Sequence, residues 1–406
     1  MPEDRKVPSR STVTLGFIDG DLTVGSDANI KGEGVPPKVN VSGTIECCGD
    51  CAFECSVSTQ RFDGELGIVV VQGDLEVNGD VEIRHGRLDV EGMLKAKDVD
   101  VDKSLRVGRD LEAENVDVGG SLEVEGSTKV KSIDVGGRFR GVGEVKAEDI
   151  DVGGSVTIES KVEIERIDVG GTVTLHGGHV GEINVGGSFE SKDSLEFDSI
   201  DVGGTVKLAG KNAGGDIDVG GSCKVDGDLK FGQIDVGGVV EISGSAEGES
   251  LDVGGRIRAG EFLRISGKLD VGGKAEVEGE LAAESIDVGG KVEANEINAK
   301  NEVSVGGSII TNAGVKASYV GIGRRGRVVG PIRADEVLIG RRASVEDVYG
   351  GRVTMEGNAR ARNLYGERIY IESGCRVEGK VQYTASLETE KGVFLAERPV
   401  KVEKLP

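Results

Sequence analysis

Apolar residues alternate with polar ones along this chain in bursts too short for a helix. Between residues 162 and 175 the apolar positions are Val162, Ile164, Ile167, Val169, Val173 and Leu175, every second residue within three separate runs. A period of two predicts strands with one buried face. The same three runs return at Leu195/Phe197, Ile200/Val202 and Val206/Leu208, and again at Leu229/Phe231, Ile234/Val236 and Val240/Ile242. Helices would need apolar residues three and four apart, and the unit is too short for a two-helix repeat.

The repeat has a fixed length. Its marker is Ile-Asp-Val-Gly-Gly, whose valine falls at Val118 and then every 17 residues to Val169, at Val185 after a step of 16, and on to Val305 in steps of 17 with one of 18 at Val271. Three strands and three corners in such a unit make one coil of an all-β parallel β-solenoid, with a right hand expected. The paired glycines are expected to turn the corner at positive φ, which glycine adopts without steric cost. Glycine is not at every third position, which excludes collagen. The left-handed hexapeptide helix would want a strict six-residue sub-period, which steps of 16 to 18 do not fit.

Fainter versions flank this array: Gly20-Asp21-Leu22-Thr23-Val24 and Gly73-Asp74-Leu75-Glu76-Val77 on one side, Ile322-Gly323-Arg324-Arg325 and Ile339-Gly340-Arg341-Arg342 on the other. The expected organisation is a loose tail over 1–12, an irregular solenoid carrying a cysteine cluster over 13–98, the regular array over 99–308, a basic and tyrosine-rich solenoid over 309–395, and a second tail over 396–406.

Composition sharpens the picture in three ways. Glycine supplies 67 of 406 residues and aromatics only 3%, which suits thin, repetitive cores rather than wide irregular ones. There is no apolar run long enough for a membrane helix and no secretory stretch near Met1, so a cytoplasmic place is expected. The formal charge is −23, which disfavours nucleic acid as a partner of the whole chain. Residues 306–385, however, carry 13 Lys and Arg against 8 Asp and Glu, a balance of +5, which leaves −28 for the remainder.

Four features could carry chemistry. Cys47, Cys48, Cys51 and Cys55 lie within nine residues, which suggests a zinc or iron site, a redox pair, or inert thiols filling small apolar positions. Their spacing is not a usual zinc pattern. An aspartate precedes the marker valine in nearly every coil from Asp117 to Asp287, with Asn184 interrupting and Ser304 following. Stacked carboxylates ~5 Å apart repel by roughly 0.8 kcal/mol per pair even in water. They are expected to be relieved by backbone N–H groups at the glycine corner, with bridging cations as the second option. Arg324/Arg341 and Arg325/Arg342 stand one coil apart, as do Tyr349 and Tyr365, and these six form a candidate interaction surface for other proteins or the acidic body of another copy. His176 and His179 share a glycine loop, a weak metal signal. No Ser/His/Asp or Cys/His constellation emerges, and no catalysis or obligate cofactor is expected.

These coils of about 17 residues, with Gly-x-apolar-x-apolar strands, glycine corners and short charged tails, resemble the bactofilins, most clearly over 117–307 and 319–383. The resemblance implies a right-handed β-helix that assembles end to end without a nucleotide into a non-polar cytoskeletal filament. It leaves membrane association open, since members often lie beneath the membrane. The expected role is therefore a non-catalytic, polymer-forming scaffold whose partner is itself. The alternative is a rigid β-solenoid subunit of a larger complex; a carbohydrate-active β-helix ranks last.

Overall fold

The computed structural model describes residues 3–406. They are all-β, a parallel β-solenoid of about 23 turns with about 17 residues per turn. The chain divides into two compact units, residues 1–203 and 204–406.

In the first unit, Arg5–Val7, Thr12–Leu15 and Phe17–Ile18 make the first coil. They pair in parallel with Leu22–Val24, Ala28–Gly32 and Lys38–Val41 of the next. The expected tail over 1–12 is thus partly strand, because Leu22–Val24 offers Arg5–Val7 an edge and Val7 a buried place; Met1 and Pro2 lie outside the described residues. Three strands per coil then continue in strict register. Leu105 pairs with Leu122, Leu122 with Phe139, Phe139 with Val156 and Val156 with Val173, all of them buried. Each side chain therefore packs on its counterpart one coil away, and the alternation read from the sequence becomes columns of apolar residues inside and polar ones outside.

Departures from 17 are absorbed at corners. In the coil of 16, Gly178 takes the register of Val162, and Gly177 and Gly178 turn tightly with φ of 79° and 121°. In the coil of 18, the extra residue falls between Ile265 and Leu269, since Ile265 still pairs with Gly248 but Leu269 with Leu251.

The paired glycines are there for a different reason from the one expected. None of Gly119, Gly136, Gly153 or their partners has a positive φ. What excludes a side chain is the coil below. A Cβ on Gly136 would stand 2.3 Å from the carbonyl oxygen of Gly119, and one on Gly154 would stand 2.3 Å from that of Gly137. The corners stack so closely that backbone meets backbone, and the neighbour cannot step aside.

In the second unit the strands lengthen, reaching Ser308–Ile322, Ser344–Met355 and Arg360–Ile371. Val348 packs on Leu364 and Val353 on Ile369, again in parallel register and buried. The last coil is less complete. Val381 is buried, but Leu387 and Leu395 are half-buried and Thr389 is exposed where Ile371 below it is buried. Val400–Lys401, within the segment expected as a tail, pairs with Gln382–Tyr383.

Candidate functional site

Of the four clustered cysteines, only Cys47 and Cys51 are brought together. Cys47, Cys51 and Cys55 face the core and Cys48 faces outward, all four as free thiols. Among the described residues no group of three His, Cys, Asp or Glu side chains converges as metal ligands would. Cys47 lies within hydrogen-bonding reach of Cys51. Burial, then Cys51 and the neighbouring negative charge, hold the Cys47 thiol well above its ordinary value. Burial pushes Cys55 up to about 11, and burial with Glu46 and Glu65 raises Cys48. At Cys47, Cys48 and Cys55 the thiol, not the ligating thiolate, is thus the favoured form. Cys223 is a core residue, pushed up to about 12 by burial, and Cys375 is buried with its Sγ 3.1 Å from the carbonyl of Glu356.

The aspartates do form a ladder. Asp100, Asp117, Asp134, Asp151 and Asp168 are register partners in succession, and Asp218, Asp235, Asp252, Asp270 and Asp287 form a second run. They do not cap the glycine corner, contrary to expectation. The N–H of Gly136 donates to the carbonyl of Val118 at 3.0 Å and that of Gly153 to Val135 at 3.0 Å, so the preceding coil has taken the donor of the first glycine of each pair. Lys268, 2.7 Å from Asp270, is the one ion-pair partner of either run among the described residues. The rest stay exposed and mutually repelling. Burial first, then Asp134 and Asp168, raise the carboxyl of Asp151 above its ordinary value, and Asp252 is raised likewise beside Asp270 and Asp235.

The basic region is organised around a different corner. Arg325 and Arg342 sit at the left-handed position of tight turns, with φ of 62° and 59°. Gly326 N–H donates to Gly323 at 2.9 Å and Ala343 N–H to Gly340 at 3.0 Å, closing each turn. The two turns stack directly, Arg325 N–H donating to the carbonyl of Arg341 at 2.9 Å. A glutamate from the next coil caps each later turn: Glu356 accepts from Arg341 N–H at 3.1 Å, Glu372 from Gly357 at 2.8 Å and Glu390 from Ser373 at 2.9 Å. Arg324, Arg325, Arg341 and Arg342 all point to solvent, and none has an ion-pair partner among the described residues.

Tyr349 and Tyr365 stack with centroids 4.8 Å apart and planes 14° apart. The guanidinium of Arg333 lies 4.2 Å above the Tyr349 ring, a member the sequence reading missed. Its position, 16 residues before Tyr349 as Tyr349 is before Tyr365, was the available signal. Tyr365 is largely buried, so this column is a packing spine with one charged end.

A groove of about 1190 Å3 crosses the first unit, floored by Ala96, Ala113, Val130 and Ala147. Its rims pair their own charges, Lys95 with Glu112 at 2.7 Å and Lys146 with Glu163 at 2.8 Å. His179 lines its end, and His176 is exposed elsewhere on the loop.

Fold and surfaces together define a parallel β-solenoid protein with segregated acidic and basic columns. No family model, no curated protein and no solved structure matches this chain.

Proposed function

We propose that this chain is a non-catalytic structural element of the cytoplasm that assembles with itself end to end, as the resemblance to bactofilins implies. The observation that carries this reading is the unfinished last coil. Its core residues Leu387 and Leu395 are half-buried, whereas Ile369 and Val377, their register partners in the coil beneath, are buried. A strand edge and an open slice of core invite another strand. Among the described residues no helix lies over either end, and none is long and apolar enough to cross a membrane.

The open face repeats identically on a second copy, so mating two C-terminal coils gives a symmetric contact. The test is negative-stain imaging of the purified chain beside a variant carrying Leu387→Asp and Leu395→Asp. End-to-end particles for the wild type and single ones for the variant support the reading. A wild type that stays monodisperse and monomeric at high concentration overturns it, and would favour a rigid subunit of a larger complex.

A further inference from the structure

Two charge arrays on this molecule lack partners, and they are built to the same step. The arginine corner presents Arg324 and Arg325 directly over Arg341 and Arg342, one coil apart, because the turns stack backbone to backbone. The carboxylate of Glu356, at the turn itself, is already engaged with the Arg341 N–H. The aspartate columns present Asp117, Asp134 and Asp151 one coil apart, exposed and without hydrogen bond or ion pair among the described residues. Both arrays rise by one strand spacing per coil, ~4.8 Å. Two arginines of one column therefore meet two successive aspartates in register, whichever way the second column runs.

The approach is open as well as complementary. Two residues after each aspartate stands the first corner glycine, Gly119, Gly136 or Gly153, which has no side chain and cannot acquire one. Beside the acidic column there is thus a bare shelf on which a long arginine side chain can lie flat and present its planar fork to a carboxylate.

We propose that the arginine corner of one copy docks side-on against the aspartate column of a second copy, a lateral contact separate from the end-to-end one. It assigns the glycine corner a second role, as clearance for the partner's arginines. It also explains why an energetically costly stack of like charges is left without internal relief.

The experiment is sedimentation velocity in the Leu387→Asp, Leu395→Asp background, where open-end contacts do not contribute, at about 50 mM and about 500 mM NaCl. The comparison variant carries Arg324→Gln, Arg341→Gln, Arg325→Asn and Arg342→Asn. Asparagine suits the two left-handed positions because Asn358, one coil on, already occupies the equivalent site with φ of 62°. A melting temperature no lower than that of the background shows that the variant is folded. The expected result is association at low salt that weakens at least about tenfold at high salt and is lost in the variant. A photo-crosslinker at the exposed Ser344, beside the corner, is expected to mark the Asp-Val-Gly-Gly strands of the second copy. Association unchanged in the variant, or crosslinks landing outside those strands, overturns the proposal. So does a corner that retains single-stranded RNA while copies fail to pair.

Discussion

The corners of residues 117–307 and those of residues 322–375 solve one problem in opposite ways. The chain must change direction within a few residues while staying one strand spacing above the coil below. At Gly136-Gly137 it does so by removing side chains, so that backbone rests on backbone with a virtual Cβ only 2.3 Å and 2.5 Å from the carbonyls beneath. At Arg341-Arg342 it does so by a left-handed residue, with a glutamate from the next coil closing the turn. The first corner tolerates nothing but glycine and exposes a smooth shelf. The second tolerates side chains and uses them to display charge. Local backbone geometry thus decides which face of a solenoid is bare and which is decorated.

The largest expected effect tests the first design. Gly154→Val places a branched side chain against the backbone of Gly137 and should cost about 3 kcal/mol, read as a lower urea midpoint. A loss under about 0.5 kcal/mol would mean that the glycines are not there for clearance. Next, Glu356→Ala removes the charged acceptor from Arg341 N–H and should cost about 1–2 kcal/mol by thermal melting. Arg342→Asn acts in the other direction, stabilising by about 0.5 kcal/mol, since asparagine tolerates the left-handed region better than arginine.

The smallest effect concerns the ladder and depends on pH. Asp151 has its carboxyl raised above the ordinary 3.8 by burial and by Asp134 and Asp168. The folded chain therefore binds that proton more readily than the unfolded one. Its contribution to stability is present below 3.8 and lost as pH rises through the raised value. Asp151→Asn should then stabilise by a few tenths of a kcal/mol at neutral pH, roughly the scale of an exposed charge pair, and by nothing at about pH 3. Asn184 shows that the column accepts this residue, since it pairs with Asp168 and Asp201. Carboxyls with real partners, such as Asp347 held low first by Arg362, give the opposite slope.

Much of this could be read before any coordinates. Coil length, three strands per coil, the inward valines and outward aspartates, and Cys223 as core all follow from strict alternation at a 17-residue step. Register partners such as Tyr349 and Tyr365 also follow, because a residue one period away is by construction the neighbour in space. Composition misled at the ends, where Arg5–Val7 reads as a charged tail yet pairs with Leu22–Val24.

What the string of residues settles here is periodicity, and with it fold class and stacking, because each strand's partner is one repeat away. What it leaves to three dimensions is how closely the coils approach and which hydrogen-bond donors they take from each other. That approach makes the corner glycines a matter of clearance rather than of φ, and it hands the N–H groups of Gly136 and Gly153 to Val118 and Val135 instead of to the aspartates. It also turns Cys48 away from Cys47, Cys51 and Cys55 and seats Arg333 on Tyr349. Spacing along a chain sets which residues are neighbours; only the packed backbone sets the distance and direction on which their chemistry depends.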